Sequence, residues 1–287
     1  MATTIAEPTN RARPASARRP TRLGRALRTL ASRRAALTAH NPRQIAVPMI
    51  TPIMFALVIA PALQSALGGL HSHIDYLAFV AVGTVGLLVP LATTFAGLSV
   101  LVDRDNGAQR ELLAAPIPRP LLIVGNLLVV STLCALQVVV VIAVAAVRGA
   151  DFQIRPAGIV WFTVAALLFV VLMYAIAETL AARIGRQEEY IAATPAIAIV
   201  PWFFAGALFP IAALPGLLTT FAKLLPLTHA LALMRYGFVD PKGGGLHDIW
   251  GLSNTTLEAW LSLTVVLVFA TAFSALAVRS FTRSAVG

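Results

Sequence analysis

The sequence predicts an all-α integral membrane protein with six transmembrane helices, an N-terminal amphipathic interfacial helix and a re-entrant hairpin between helices 5 and 6. Three observations carry this. Of 287 residues, 58% are hydrophobic and only 12% are charged, against about 25% charged in soluble domains, so a soluble fold is excluded. The apolar residues fall in uncharged runs: residues 121–147 hold no charge and exceed the ~20 residues a helix needs to cross a bilayer. Such runs do not alternate as the roughly ten-residue strands of a membrane barrel do, and the spans are therefore helical.

Taken in order, residues 1–20 are rich in Pro, Ala and Arg and read as a disordered basic cytoplasmic tail. Residues 21–43 read as the interfacial amphipathic helix. At helical spacing Leu23, Ala26, Leu27, Leu30 and Leu37 share one face, while Arg22, Arg25 and Arg28 project elsewhere. Arg34 falls on the apolar stripe, where it must snorkel or meet a partner. Asn41-Pro42 ends the segment.

Residues 44–283 form the six-helix transmembrane domain, with spans at 45–67, 77–102, 121–147, 156–183, 191–209 and 259–278. Pro48, Pro52 and Pro61 kink the first span, tolerable where neighbours or water satisfy the freed carbonyls. After span five, Phe209-Pro210, Leu214-Pro215-Gly216 and Leu225-Pro226 divide a still-apolar stretch into pieces too short to cross. This is the re-entrant part of an extracellular region at 210–257; its remainder, 240–257, carries Pro241 and Gly243-Gly244-Gly245 and reads as an exposed loop.

Charge orients the chain. Of 22 Lys and Arg, ten lie before residue 44 and 17 fall on the side that six spans assign to both termini. That side is cytoplasmic by the positive-inside rule. The formal charge of +10 thus belongs to membrane orientation and anionic lipid, not to nucleic acid. A mitochondrial transit peptide shares the composition of the tail, but the excess of Arg over Lys with abundant Ala points to a GC-rich bacterial genome, hence to the inner (cytoplasmic) membrane. A single cysteine, Cys134, excludes a disulfide framework, a thiolate zinc site and an iron–sulfur cluster.

The most informative loop is 103–120, Asp103 to Arg119 and Pro120, whose charges alternate in sign before Pro116 stops a short amphipathic turn. It is either a charged connector or a docking element for a soluble partner. Glu178, five residues before Arg183, would be costly inside a bilayer unless paired; a charge pair with Arg183 competes with a proton-relay or substrate role. His71, His73 and Asp75 have a spacing that a metal could use, but the loop is short and no metal site is assigned. Lys223, His229 and Arg235 border the re-entrant segment, to meet an anionic group or to snorkel. Gly83, Thr84 and Gly86 suit close helix packing. Phe203, Phe204 and Phe209, with Pro210 and Pro215, are candidate apolar plugs of a pathway. No catalytic residues can be placed in a common pocket.

Asp103-Arg104-Asp105-Asn106-Gly107, followed by Leu112-Leu113-Ala114-Ala115-Pro116-Ile117-Pro118-Arg119, resembles the acidic–Arg–acidic–x–Gly and Leu-Leu-x-x-Pro-x-x-Arg pattern of the membrane subunits of type-2 ATP-binding-cassette exporters, the daunorubicin-resistance-like drug permeases in particular. The basic amphipathic helix, the six spans and the Phe209-Pro210 to Tyr236 segment are similar to that family too, so the resemblance covers residues 21–283. Asp103 and Asp105 stand where Glu is usual, Ala108 and Ala115 where Thr is common, and Pro118 where Ser is common.

The resemblance implies that Asp103, Arg104, Asp105, Gly107, Arg110, Glu111, Leu112, Leu113 and Arg119 couple the chain to a separate ATPase. Two such ATPase subunits would carry ATP and Mg, with no cofactor in this chain, and a second copy or a related permease would complete the pathway. The absence of Gly-x-x-x-x-Gly-Lys-Ser/Thr from the sequence agrees. The implied function is the transmembrane subunit of an exporter that moves an amphiphilic or hydrophobic drug or lipid-like substrate, that is, drug efflux and antibiotic resistance. Phe55, Phe79 and Phe95 are too few aromatics for a glycan conduit. An ion-coupled secondary transporter is the alternative; it should show several intramembrane carboxylates and repeat symmetry, and Glu178 alone approaches that.

Overall fold

The computed structural model describes residues 23–40, 46, 49–50, 53–67, 75–108 and 118–284, and among them there is no strand. Helix α1 runs over Leu23–Ala39; a π-helical turn at Phe55–Ile59 leads into α2, Ala60–Leu67. The long helices α3, Tyr76–Asp105, α4, Arg119–Val147, and α5, Pro156–Arg183, follow. Next come α6, Gln187–Phe204, a 3₁₀ turn at Ile211–Ala213, α7, Gly216–Leu224, and α8, Pro226–Phe238. Short α9, Gly244–Trp250, and long α10, Thr255–Ser284, complete the chain.

Local chemistry sets the boundaries. Asp75 begins α3 by accepting the Leu77 N–H at 2.8 Å, the usual N-cap service, and Gly107, at a φ of 76°, takes the left-handed turn after Asp105 that side chains avoid. Prolines stand at the first turns of α4, α5 and α8, where the missing N–H costs nothing. Helix α9 differs from the expected loop across 240–257. The Asp240 carboxylate accepts the backbone N–H groups of Lys242 and Gly244 at 3.0 and 2.6 Å, and Leu246 and Ile249 are buried, so the turn nucleates a helix with an apolar anchor.

Helices α3 and α5 form the centre. Helix α5 packs on α3, α8 and α10, and α3 packs on α4, α5 and α6. Their buried faces, with Val82, Leu88, Phe169 and Leu172, join Trp202 of α6 and Leu231 and Leu233 of α8 in one core. Gly158 and Gly237 let α5 and α8 touch: a Cβ on Gly158 would stand 2.1 Å from the Gly237 carbonyl oxygen. Small residues serve this purpose in membranes, where close packing has to replace the hydrophobic drive between helices. Outward, α4 and α10 expose Leu136, Val139, Leu267 and Val268, a surface suited to acyl chains.

Four described helices, α3, α4, α5 and α10, are long and apolar enough to cross a membrane, and the pair α7 and α8, bent by 83° at Leu225, makes a fifth if counted as one broken span. They coincide with the expected spans two, three, four and six. Expected span five appears as α6, which carries Glu188 and Glu189 in its first turn and Pro195 and Pro201 inside and is not among the four. Of expected span one, a short apolar helix at Leu57–Ala66 is described; Pro48 and Pro52 lie outside the described residues.

Candidate functional site

The root of the 103–119 loop is where the structure concentrates polar contacts between distant segments. Helix α3 stays apolar for most of its length and places Asp103, Arg104 and Asp105 on its last turn. Because successive helical residues point about 100° apart, the three side chains face three different neighbours.

Asp103 meets α1. The Arg34 guanidinium donates to its Oδ2 at 3.1 Å and, with its other nitrogen, to the Ala96 carbonyl at 3.3 Å. Arg34 is buried although it sits on a surface helix, which settles how an arginine occupies the apolar stripe: it has a partner. Helix α1 comes close enough because Gly125 of α4 lies against it, where a Cβ would stand 3.1 Å from that of Leu30.

Arg104 turns the other way, to the chain's own α5–α6 turn, and donates to the Gly185 and Ile184 carbonyls at 2.9 and 3.3 Å. Asp105 accepts the Gln187 side-chain amide at 2.7 Å. One helical turn therefore ties α1, the end of α5 and the start of α6. Arg110, Glu111, Leu112 and Leu113 lie outside the described residues, as does the side chain of Arg119, whose backbone opens α4.

The expected pair of Glu178 with Arg183 does not form among the described residues. Glu178 is buried and accepts the hydroxyl of Tyr174 one turn earlier on α5, while Arg183 is exposed. The hydroxyl–carboxylate contact costs less than extending an arginine along the helix, because both groups already share a face. Glu178, Asp103 and Asn126 border a cavity of about 40 Å³ that α1 and α10 also line, through Leu30 and Phe281.

At the other end of α6 the candidate plugs are separated. Phe203 is half exposed and packs edge-on against Trp202, Phe204 packs edge-on against Phe221 of α7, and Phe209, Pro210 and Pro215 lie in the irregular stretch that leads into α7. Arg235, expected to meet an anionic group or to snorkel, bonds backbone carbonyls. It is buried in α8 and donates to the Gly206, Ala207 and Phe79 carbonyls at 2.8, 2.7 and 3.3 Å, lying 3.4 Å above the Phe79 ring. It fixes the non-helical backbone after α6, the kind of backbone a membrane protein can hold only where its carbonyls find donors.

His229 is likewise internal. Its Nε2 donates to the Lys223 carbonyl at 3.0 Å, which leaves Nδ1 to accept from the Ser262 hydroxyl at 3.2 Å, and Ser262 in turn accepts the Trp250 indole N–H at 2.8 Å. The donors and acceptors balance with a neutral ring. Asp75 serves as the α3 cap, and His71 and His73 lie outside the described residues.

Sequence reasoning missed Tyr174, Gln187 and Trp202. Tyr174 had a signal, being four residues before Glu178. The others pair with residues too far away in sequence for spacing to reveal.

The family described as ABC-2 type transporter matches residues 25–239. Nodulation protein J of Sinorhizobium fredii (strain NBRC 101917 / NGR234) is 24% identical over 184 residues, which are 63% of this chain and 69% of that protein.

Proposed function

The chain belongs to the ABC-2 type transporter family, and on that premise we propose that it is the transmembrane subunit of an ATP-driven exporter of amphiphilic or hydrophobic molecules, drug-like or lipid-like, in the bacterial inner membrane. The observation that supports this best is the clamped root of the 103–119 loop: Asp103, Arg104 and Asp105 join one loop to three helical elements, which suits a loop that receives force from outside the membrane. Two ATPase subunits, holding ATP and Mg, dock on Arg110, Glu111, Leu112 and Leu113. A second copy or a related permease completes the pathway.

In this reading the chain crosses six times. The segment around α2 is the first span, α6 the fifth, α1 lies in the cytoplasmic interface, and α7 with α8 is a re-entrant hairpin on the outer side. Both termini are cytoplasmic. The proline-broken stretch from Phe209 to Tyr236, with Phe203, Phe204 and Phe209, closes the outer end of the pathway.

The test is reconstitution with the cognate ATPase in vesicles, reading ATP-dependent accumulation of a cationic amphiphilic dye. Accumulation that needs both proteins supports the exporter. Full-rate transport by this chain alone, driven by an ion gradient, would replace it with a secondary transporter.

A further inference from the structure

We propose that Arg34 is a positioning residue of the transport cycle, a strap that makes the N-terminal helix α1 move with the root of the 103–119 loop. The inference rests on the coupling role proposed above and names the next element that the movement reaches.

Geometry singles out this residue. Among the described elements, α1 packs chiefly on α4, and its apolar contact there is modest: Leu27 and Leu30 are only partly covered, and Leu37 is exposed. Arg34 reaches past α4 to α3. Helical side chains tilt toward the N-terminus while carbonyl oxygens point toward the C-terminus. The Asp103 carboxylate and the Ala96 carbonyl, seven residues apart on α3, therefore converge on one level, and the guanidinium lies between them at 3.1 and 3.3 Å. A planar fork with fixed donors fits two acceptors at one orientation and resists sliding, which a lysine would not. The Arg34 and Asp103 side chains are 8% and 21% exposed, so water does not easily replace either partner.

Position gives the contact its consequence. Asp103 ends the helix that enters the loop, and Leu122 and Asn126 begin the helix that leaves it; these residues, with Glu178 of α5, line the same small cavity. A push on the loop displaces both of its ends together, and through Arg34 it displaces α1 with them. Apolar packing against Gly125 would hold α1 in place without tying it to Asp103, and this is the competing account.

The experiment uses the full chain coexpressed with its cognate ATPase, the complex held in vesicles of phosphatidylethanolamine and phosphatidylglycerol. Amide hydrogen exchange across residues 27–37 is measured without nucleotide and with vanadate-trapped ATP. In the wild type, trapping changes the exchange. R34Q loses that nucleotide-dependent change while the ATPase still copurifies, and R34K, which keeps the charge without the two-acceptor fork, retains only part of it and guards against misfolding of R34Q. A change in R34Q equal to the wild type, or none in the wild type, overturns the strap while leaving the exporter reading intact. Failure of the wild-type chain to retain any ATPase overturns the exporter reading and the strap with it.

Discussion

The indole N–H of Trp202 donates to the carbonyl oxygen of Gly83 at 2.8 Å, joining α6 to the middle of α3 across 119 residues of sequence. The bond is possible because Gly83 has no side chain: a Cβ there would lie 2.0 Å from the Ala207 carbonyl oxygen and 3.0 Å from the Arg235 guanidinium. The obstacle is backbone and cannot swing aside. Replacing Gly83 with Ala should therefore cost about 3 kcal/mol, the upper end for overpacking, seen as a lower unfolding temperature in detergent. An unchanged unfolding temperature would mean that α3 and the 205–209 stretch do not pack as described.

Arg235 is the partner structure of that contact, since it holds the same stretch by two carbonyls and α3 by a third. Hydrogen bonds to charged groups contribute about 1.5–3 kcal/mol each, and R235M removes all of them while filling a similar volume. A loss of at least about 4.5 kcal/mol is expected for the three bonds, with R235K falling between, because an ammonium cannot reproduce the fork. Thermal unfolding of the three proteins side by side checks the order; equal stability of R235M and wild type would contradict it.

How far these contacts were legible in the sequence depends on their range. The runs at 77–102, 121–147 and 156–183 predict α3, α4 and α5 nearly to the residue, because uncharged length is itself the physical requirement for a span. Pro215 and Pro226 marked the starts of α7 and α8, because a proline fits a helix's first turn and not its interior. Arg34 was visible as a misfit on an apolar stripe, but its partner lies 69 residues away, and no local pattern connects them. The backbone carbonyls that Arg104 and Arg235 bind were not legible, because sequence shows charges and hides backbone acceptors. The loop at 240–257 misled in the opposite sense: its glycines suggested no structure, whereas Asp240 and Gly243, at a φ of 75°, build the start of α9.

Topology gives a sharper check on the six-span reading. Lys242 is exposed on the turn before α9, and Cys134 is buried, so the native thiol stays silent toward a membrane-impermeant maleimide. In intact cells K242C should label at once, and a cysteine replacing Ala2 should label only after permeabilisation. Labelling of both positions from outside would require an even number of crossings between them, where the six-span reading has five, and would overturn that reading.

Coupling to an ATPase is tested best at the residues proposed to dock it. Arg104 is a poor probe, because its reversal would also release the Gly185 and Ile184 carbonyls and loosen the start of α6. Leu112 and Leu113 follow the clamped turn in sequence and, in the proposed docking, supply the apolar anchor that interfaces concentrate at their centre. Truncating such an anchor costs about 2 kcal/mol, so L112A or L113A should each weaken ATPase association by about thirty-fold. Reversing Glu111 should act differently, lowering the association rate more at low salt than at high, since peripheral charges steer encounters and are screened. The measurement is a titration of the cognate ATPase onto vesicles holding each variant, at two ionic strengths. If both leucine variants and the Glu111 reversal bind the ATPase as the wild type does at both ionic strengths, the docking site does not lie at Glu111 to Leu113.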